Sequence, residues 1–209
     1  MPSALIITGI VGLESHTLKD LSTQVQNEVN EHIDDQVTID DFSQYAPMAS
    51  VYVLNATGIE GKHRFKERTI LLASSYLLTA STVLLTKKGS NVLRPDGSSQ
   101  NSFPSGHTAT AFVGAEFLWQ EYKDVSVWYG IAGYVVATGT GLFRVYNDRH
   151  WLNDVIMGAG VGMLCTKFAY WIHPFVTQKL LPKNERNTQT AIVPFYNGEQ
   201  AGLGMVLQF

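Results

Sequence analysis

Three long stretches almost free of formal charge dictate most of what this chain can fold into. Residues 69–86 are a run of 18 uncharged residues closed by Lys87-Lys88-Gly89, and 125–143 are a second run of 19. A third apolar segment, 151–173, is interrupted only by Asp154 and Lys167 and meets Pro174. Such runs are far longer than an ordinary strand and read as helices, the first of them near the minimum length that spans a bilayer. The four glycines of the second run point to a closely packed helix rather than a uniformly greasy one.

The remaining segments complete a helical reading. Leu18, Leu21, Val25, Val29 and Ile33 recur in steps of three and four, which predicts an amphipathic helix over 16–33. Residues 4–13 form a short apolar run with no basic residue before it and no convincing cleavage site, which leaves a signal already removed, an anchoring helix or a core helix as the readings. Asp40-Asp41 offers a helix N-cap, 47–54 reads as a short buried helix, and 89–103 is a loop rich in Ser, Asn, Gly and Pro. A helix is expected over 105–121, with Pro104 in its first turn. Residues 183–188 form a polar linker. Beyond it, 190–196, Asn197-Gly198 and 201–209 read as a β-hairpin with Leu203, Met205, Leu207 and Phe209 on one face. The expected fold is therefore all-α, a bundle of about six helices over residues 1–180, with a small β appendage over 181–209.

Composition narrows the classes of function. With 209 residues one well-cored domain is expected. Only 16% of the residues are charged, against roughly 25% in an average soluble protein, so much of the surface is uncharged. Contact with a membrane or a large oligomeric interface would both account for that. A mean hydropathy of +0.01 argues the other way and leaves a soluble form open. The net charge of −3 and the lack of a basic run exclude nucleic acid as a natural partner. Cys165 stands alone in an apolar run and reads as a small buried hydrophobe, and the chain sets no oligomeric state.

The chemistry-bearing residues cluster at the ends of the predicted helices. His150 and Asp154 are four apart, so on one helix face the carboxylate can hold the Nδ1 proton and leave Nε2 free to attack. Asn147 or Asp148 could cap that helix, which places His150 in its first turn beside free N–H groups. Pro104-Ser105-Gly106-His107 repeats the logic at a second helix start. Gly106 admits a close ligand, the amides and the Ser105 hydroxyl form an anion cradle, and His107 can serve as general acid. Lys87, Arg94 and Arg144 supply positive charge for phosphoryl oxygens. Lys88 and Arg149 read as ordinary solvated neighbours. The carboxylates are not clustered as a magnesium or two-metal site requires.

Taken in order, these residues resemble the signature of the type 2 phosphatidic acid phosphatase superfamily, which embraces lipid phosphate phosphatases, soluble bacterial acid phosphatases and vanadium haloperoxidases. That signature is Lys, six residues, Arg-Pro; then Pro-Ser-Gly-His; then Ser-Arg, five residues, His, three residues, Asp. The chain carries it at Lys87, Arg94, Pro95, Pro104, Ser105, Gly106, His107, Arg144, His150 and Asp154, and departs from it at Phe143, where serine is usual. Only eight residues separate Pro95 from Pro104, a short loop similar to that of the lipid phosphatases. The resemblance implies an all-helical, metal-free and cofactor-free phosphatase in which His150 becomes phosphorylated, Asp154 orients it and His107 protonates the leaving alcohol. Lys87, Arg94, Arg144 and the Ser105-Gly106 amides would hold the oxygens. It further implies a phosphorylated lipid or small phosphomonoester as substrate, in a bacterial cell envelope, with the site facing the periplasm of a membrane-associated protein. A soluble periplasmic acid phosphatase and a vanadate-dependent haloperoxidase are the alternatives it leaves.

Overall fold

The computed structural model describes residues 1–31, 38–180, 189–196 and 201–208. Among them are eight helices rather than about six: α1 (Pro2–Gly12), α2 (His16–Glu31), α3 (Ile39–Ser43), α4 (Ala46–Ala56), α5 (Phe65–Ser90), α6 (Gly106–Tyr122), α7 (Val127–Tyr146) and α8 (Leu152–Leu180). The chain divides into two compact units, Met1–Trp171 and Ile172–Phe209. Within the second, β1 (Gln189–Tyr196) pairs antiparallel with β2 (Ala201–Gln208), with Ile192 opposite Met205. The expected Asn197-Gly198 turn, the polar linker and Phe209 lie outside the described residues.

Several boundaries differ from the sequence reading for local reasons. α5 extends beyond its uncharged run at both ends, with Glu67 in the first turn and Lys87 and Lys88 in the last, each sign matched to the helix dipole. It stops at Asn91, which takes the left-handed conformation at φ 46°. Ser105 is the N-cap of α6, so Pro104 precedes the cap instead of occupying the first turn. Thr38, not Asp40 or Asp41, is the N-cap of α3, and both aspartates lie in its first turn. Pro174 does not end α8, which continues to Leu180; a proline removes only one backbone donor, and the turns on either side carry the helix on.

α6 is the axis of the first unit. Most of its length is buried, including the charged Glu116 and Glu121, and Gly106, His107, Thr110, Trp119 and Gln120 are only partly covered. Phe112 and Ala115 pack with Ala137 of α7 and with Ala159 and Met163 of α8, while Phe117 and Tyr122 pack with Val51 of α4 and Leu71 of α5. α8 approaches α6 closely because Gly158 faces the Ser105 carbonyl, where an added Cβ would lie 2.6 Å from the oxygen. That approach lets the Ser105 amide donate to the backbone oxygen of Asp154 at 3.0 Å, fixing two helix starts to each other. Away from these starts, Glu121 is fully buried and accepts from His63 Nδ1 at 2.7 Å and the Tyr170 hydroxyl at 2.6 Å, with Arg68 Nε at 3.4 Å.

Among the described residues two helices are long and apolar enough to cross a membrane, Phe65–Ser90 and the Leu152–Phe175 part of α8. Only 28% of the apolar window of α5 is buried within the protein, against 56% for α8, so α5 leaves most of its apolar surface outward. Leu77, Leu84 and Leu85 of α5 are exposed, and on α7 Trp128, Ile131, Val135 and Leu142 form an exposed stripe at helical spacing.

Candidate active site

The antiparallel run of α5 to α8 brings one end of each helix together. Lys87 comes from the last turn of α5, Ser105 to His107 from the start of α6, Arg144 from the last turn of α7, and His150 and Asp154 from the start of α8. Two helix N-termini contribute free amides and positive dipole potential. Lys87 and Arg144 sit at C-terminal ends, where the helix dipole favours cations, and Arg94 comes from the loop after α5. Lys87, Arg94, Arg144 and Asp154 lie near enough to act on one another electrostatically, and Arg144 and Lys87 both act on His150.

His150 precedes α8 instead of riding in its first turn. It follows a tight turn in which Asp148 adopts φ 56°, and its amide donates to the Arg144 carbonyl at 3.2 Å. The ring is 2% exposed, with Nδ1 3.5 Å from Asp154 Oδ2. Burial pushes the imidazole down to about 4, with Arg144 and Lys87 acting the same way and Asp154 opposing them. At neutral pH the ring is therefore uncharged, and an acceptor at Nδ1 leaves the lone pair on Nε2. Asp154 is held in turn by the Trp151 amide at 2.9 Å and by the Ser102 hydroxyl. Ser22 of α2 caps the new helix from outside, accepting from the Leu152 amide at 3.1 Å.

Ser102 is a residue the sequence reading missed. It is fully buried, donates to Asp154 Oδ2 and stands 3.4 Å from His150 Nδ1, so it touches both members of the pair. Asn101 beside it organises two of the cations: its carbonyl accepts from Lys87 Nζ and its side-chain oxygen from Arg94 Nε at 3.0 Å. The loop is anchored to the His150 turn by an ion pair of Arg149 with Asp96 at 3.2 Å and by Trp151 Nε1 donating to the Leu93 carbonyl at 2.8 Å. Arg149 thus has a tethering contact where the sequence suggested only solvation. Phe143, in the serine position of the signature, stacks edge-on against Tyr146 at 5.8 Å.

The α6 start holds both expected and unexpected features. The buried Ser105 hydroxyl accepts from the Thr108 hydroxyl at 2.9 Å and from its amide at 3.4 Å, and so serves the helix cap. A Cβ on Gly106 would meet nothing nearer than Val83 Cγ1 at 4.0 Å. Packing therefore does not demand glycine there, and its absent side chain leaves space above the first-turn amides. His107 is about one-third exposed, and Nε2 lies 3.0 Å from Asp41 Oδ1. Burial and the neighbouring Arg144 lower its affinity for a proton, while Asp41 and Asp40 oppose them. Asp40 is buried against Arg144 Nη1 and accepts from Asn147 Nδ2 at 3.0 Å. The two aspartates that looked like a helix cap are in fact part of this site.

These features define a helical bundle, over Met1–Trp171, that gathers two histidines, three basic side chains and two helix N-termini at one end. The chain belongs to the PAP2 superfamily, whose profile matches residues 68–178 and so takes in every site residue named above except Asp40, Asp41 and Ser22. It is 35% identical over 170 residues to the lipid A 1-phosphatase of Porphyromonas gingivalis, a match covering 78% of this chain and 38% of that protein. The chain thus spans well under half the length of that relative. Its fold is similar to the crystal structure of Aquifex aeolicus LpxE, with a TM-score of 0.55 and 23% identity over 72% of this chain and 95% of that one. It is also similar to the transmembrane PAP2 type phosphatidylglycerolphosphate phosphatase from Bacillus subtilis, with a TM-score of 0.54 and 18% identity over 88% of this chain and 98% of that one. At those identities the two structures speak for the fold.

Proposed function

We propose that this protein is a phosphatase that hydrolyses a lipid phosphomonoester at a membrane surface through a phosphohistidine on His150. The observation that carries the reading is the buried Ser102–Asp154–His150 chain, which keeps an uncharged imidazole beside three cations. A phosphate entering the pocket would place its oxygens against Lys87, Arg94, Arg144 and the first-turn amides of α6. His150 Nε2 attacks phosphorus, and its Nδ1 proton stays on the Asp154 side, which stabilises the positive charge that develops on the ring. As the bond to the ester oxygen breaks, His107 gives that oxygen a proton. In the second half, His107 takes a proton from water as the new P–O bond forms and the N–P bond breaks.

The membrane part of the proposal rests on α5 and α8. Both candidate spans end at the site, so a lipid headgroup at the bilayer surface would meet the pocket while its acyl chains remain among the exposed leucines of α5. The similarity to the lipid A 1-phosphatase of Porphyromonas gingivalis supports a phosphorylated lipid as substrate. Phosphate release should be measured from phosphatidate in mixed micelles and from a soluble ester, both with EDTA present. Preference for the lipid and activity that survives chelation are expected. A protein that stays monomeric in plain buffer and prefers the soluble ester would replace the lipid reading with that of a soluble acid phosphatase.

A further inference from the structure

α3 delivers two carboxylates to the site from a segment that precedes the first signature residue, Lys87, by more than forty residues. They are not equivalent. Asp40 is 1% exposed and has both oxygens engaged, one by Arg144 and one by Asn147. Asp41 is half exposed, with Oδ1 3.0 Å from His107 Nε2 and 3.8 Å from Arg144 Nη1. Its element is not loose. Ser43 shares a 2.8 Å hydrogen bond with Thr140 of α7, and Gln44 Nε2 donates to the Asp41 carbonyl at 2.9 Å.

The charged groups facing the His107 ring are Arg144 from α7 and Asp40 and Asp41 from α3. Burial and Arg144 both work against a protonated ring. Asp40 is committed to the guanidinium, so Asp41 is the carboxylate that meets the imidazole directly. His107 Nδ1 makes no hydrogen bond to any described residue. A ring held through Nε2–H therefore carries its second N–H, when protonated, at Nδ1.

We propose that Asp41 is a positioning residue for this site: it fixes the His107 ring through Nε2–H and turns Nδ1–H toward the leaving oxygen. The inference rests on His107 as the general acid. In the first step the P–O bond to the alcohol breaks, the N–P bond to His150 forms, and the Nδ1 proton passes to the alcohol oxygen. His107 is then neutral and Asp41 keeps its Nε2–H. In the second step water gives its proton to Nδ1 as its oxygen bonds phosphorus and the N–P bond breaks. The ring returns to imidazolium against an unchanged carboxylate.

A leaving-group series on the full chain in detergent tests this. An alkyl ester such as lysophosphatidate needs its oxygen protonated, whereas p-nitrophenolate departs without help. Asp41→Asn should lower kcat on the alkyl ester by roughly 10- to 100-fold, less than the roughly 100- to 10,000-fold that general acid catalysis itself contributes, because the acid is displaced and not removed. On p-nitrophenyl phosphate it should cost less than about threefold, since little proton transfer is at stake. The basic limb of kcat/KM for the alkyl ester should move to lower pH, because a ring without its carboxylate loses its proton more readily. Asp41→Glu should recover part of the loss. Equal losses on both esters with an unmoved basic limb would overturn the proposal, leaving Asp41 a structural role. So would higher activity with a lower KM, which would make Asp41 an anion that occupies the pocket. His107→Ala belongs in the same series. If it shows the leaving-group dependence and Asp41→Asn does not, the inference about Asp41 fails and the acid assignment stands. If His107→Ala shows none, both fail.

Discussion

Replacing Ser102 with alanine isolates the contact that joins the loop before α6 to the histidine–carboxylate pair. Ser102 is fully buried and donates to Asp154 Oδ2, the same oxygen that accepts from the Trp151 amide and faces His150. The substitution removes one hydroxyl and leaves space smaller than a water needs, so the lost bond has no solvent replacement. A hydrogen bond to a charged group contributes about 1.5–3 kcal/mol. If that energy is realised mainly as charge develops on His150, kcat/KM falls roughly 10- to 150-fold, at 1.36 kcal/mol per tenfold. Steady-state hydrolysis of a lipid phosphate and of p-nitrophenyl phosphate reads this, with thermal unfolding in detergent to check the fold. Both substrates should lose alike, because Ser102 serves the nucleophile and not the acid. A loss under about threefold with an intact fold would refute the argument that this hydroxyl supports Asp154, since even the weakest charged bond exceeds that.

Other outcomes follow from the same geometry. The nucleophile must be neutral, and His150 is pushed down to about 4, so kcat/KM should fall as pH drops through that value. The acid must be protonated and His107 lies below its ordinary value, so activity should also fall as pH rises, with the basic limb below about 6.5. A pH–rate profile with an acidic optimum is expected, and one flat from pH 4 to 8 would contradict both assignments. Glu121→Ala should destabilise the protein by about 3–5 kcal/mol by leaving buried Arg68 without its carboxylate. Glu121 lies about 22 Å along α6 from Gly106. Below its lowered unfolding temperature this variant should therefore keep kcat/KM within about twofold, the scale of change expected when transition-state contacts are untouched.

The helices and the chemistry were legible for different reasons. Long uncharged runs can only be helices at this length, so α5, α7 and α8 announced themselves. Lys87, Arg94, His107, Arg144, His150 and Asp154 stood out because their spacing repeats a family signature. What failed to show was everything set by contacts distant in sequence. α3 has five residues, too short for any periodicity to reveal. Its aspartates read as a cap because their partners, Arg144 and His107, lie 104 and 66 residues away. Ser102 was hidden among the serines of its loop. No spacing in the sequence ties it to Asp154, which lies 52 residues away. His150 was read onto a helix because spacing of four suits one, yet a turn with Asp148 at positive φ brings the same two side chains together.

The central claim is covalent, and it is tested most directly by trapping. A lipid phosphomonoester carrying labelled phosphate should be mixed with the protein and EDTA, quenched within milliseconds in alkali, where a phosphohistidine survives, and digested. Label is expected on the peptide containing His150, with none in His150→Ala and turnover lost in that variant. Label on a different residue, or near-normal turnover by His150→Ala, would contradict it.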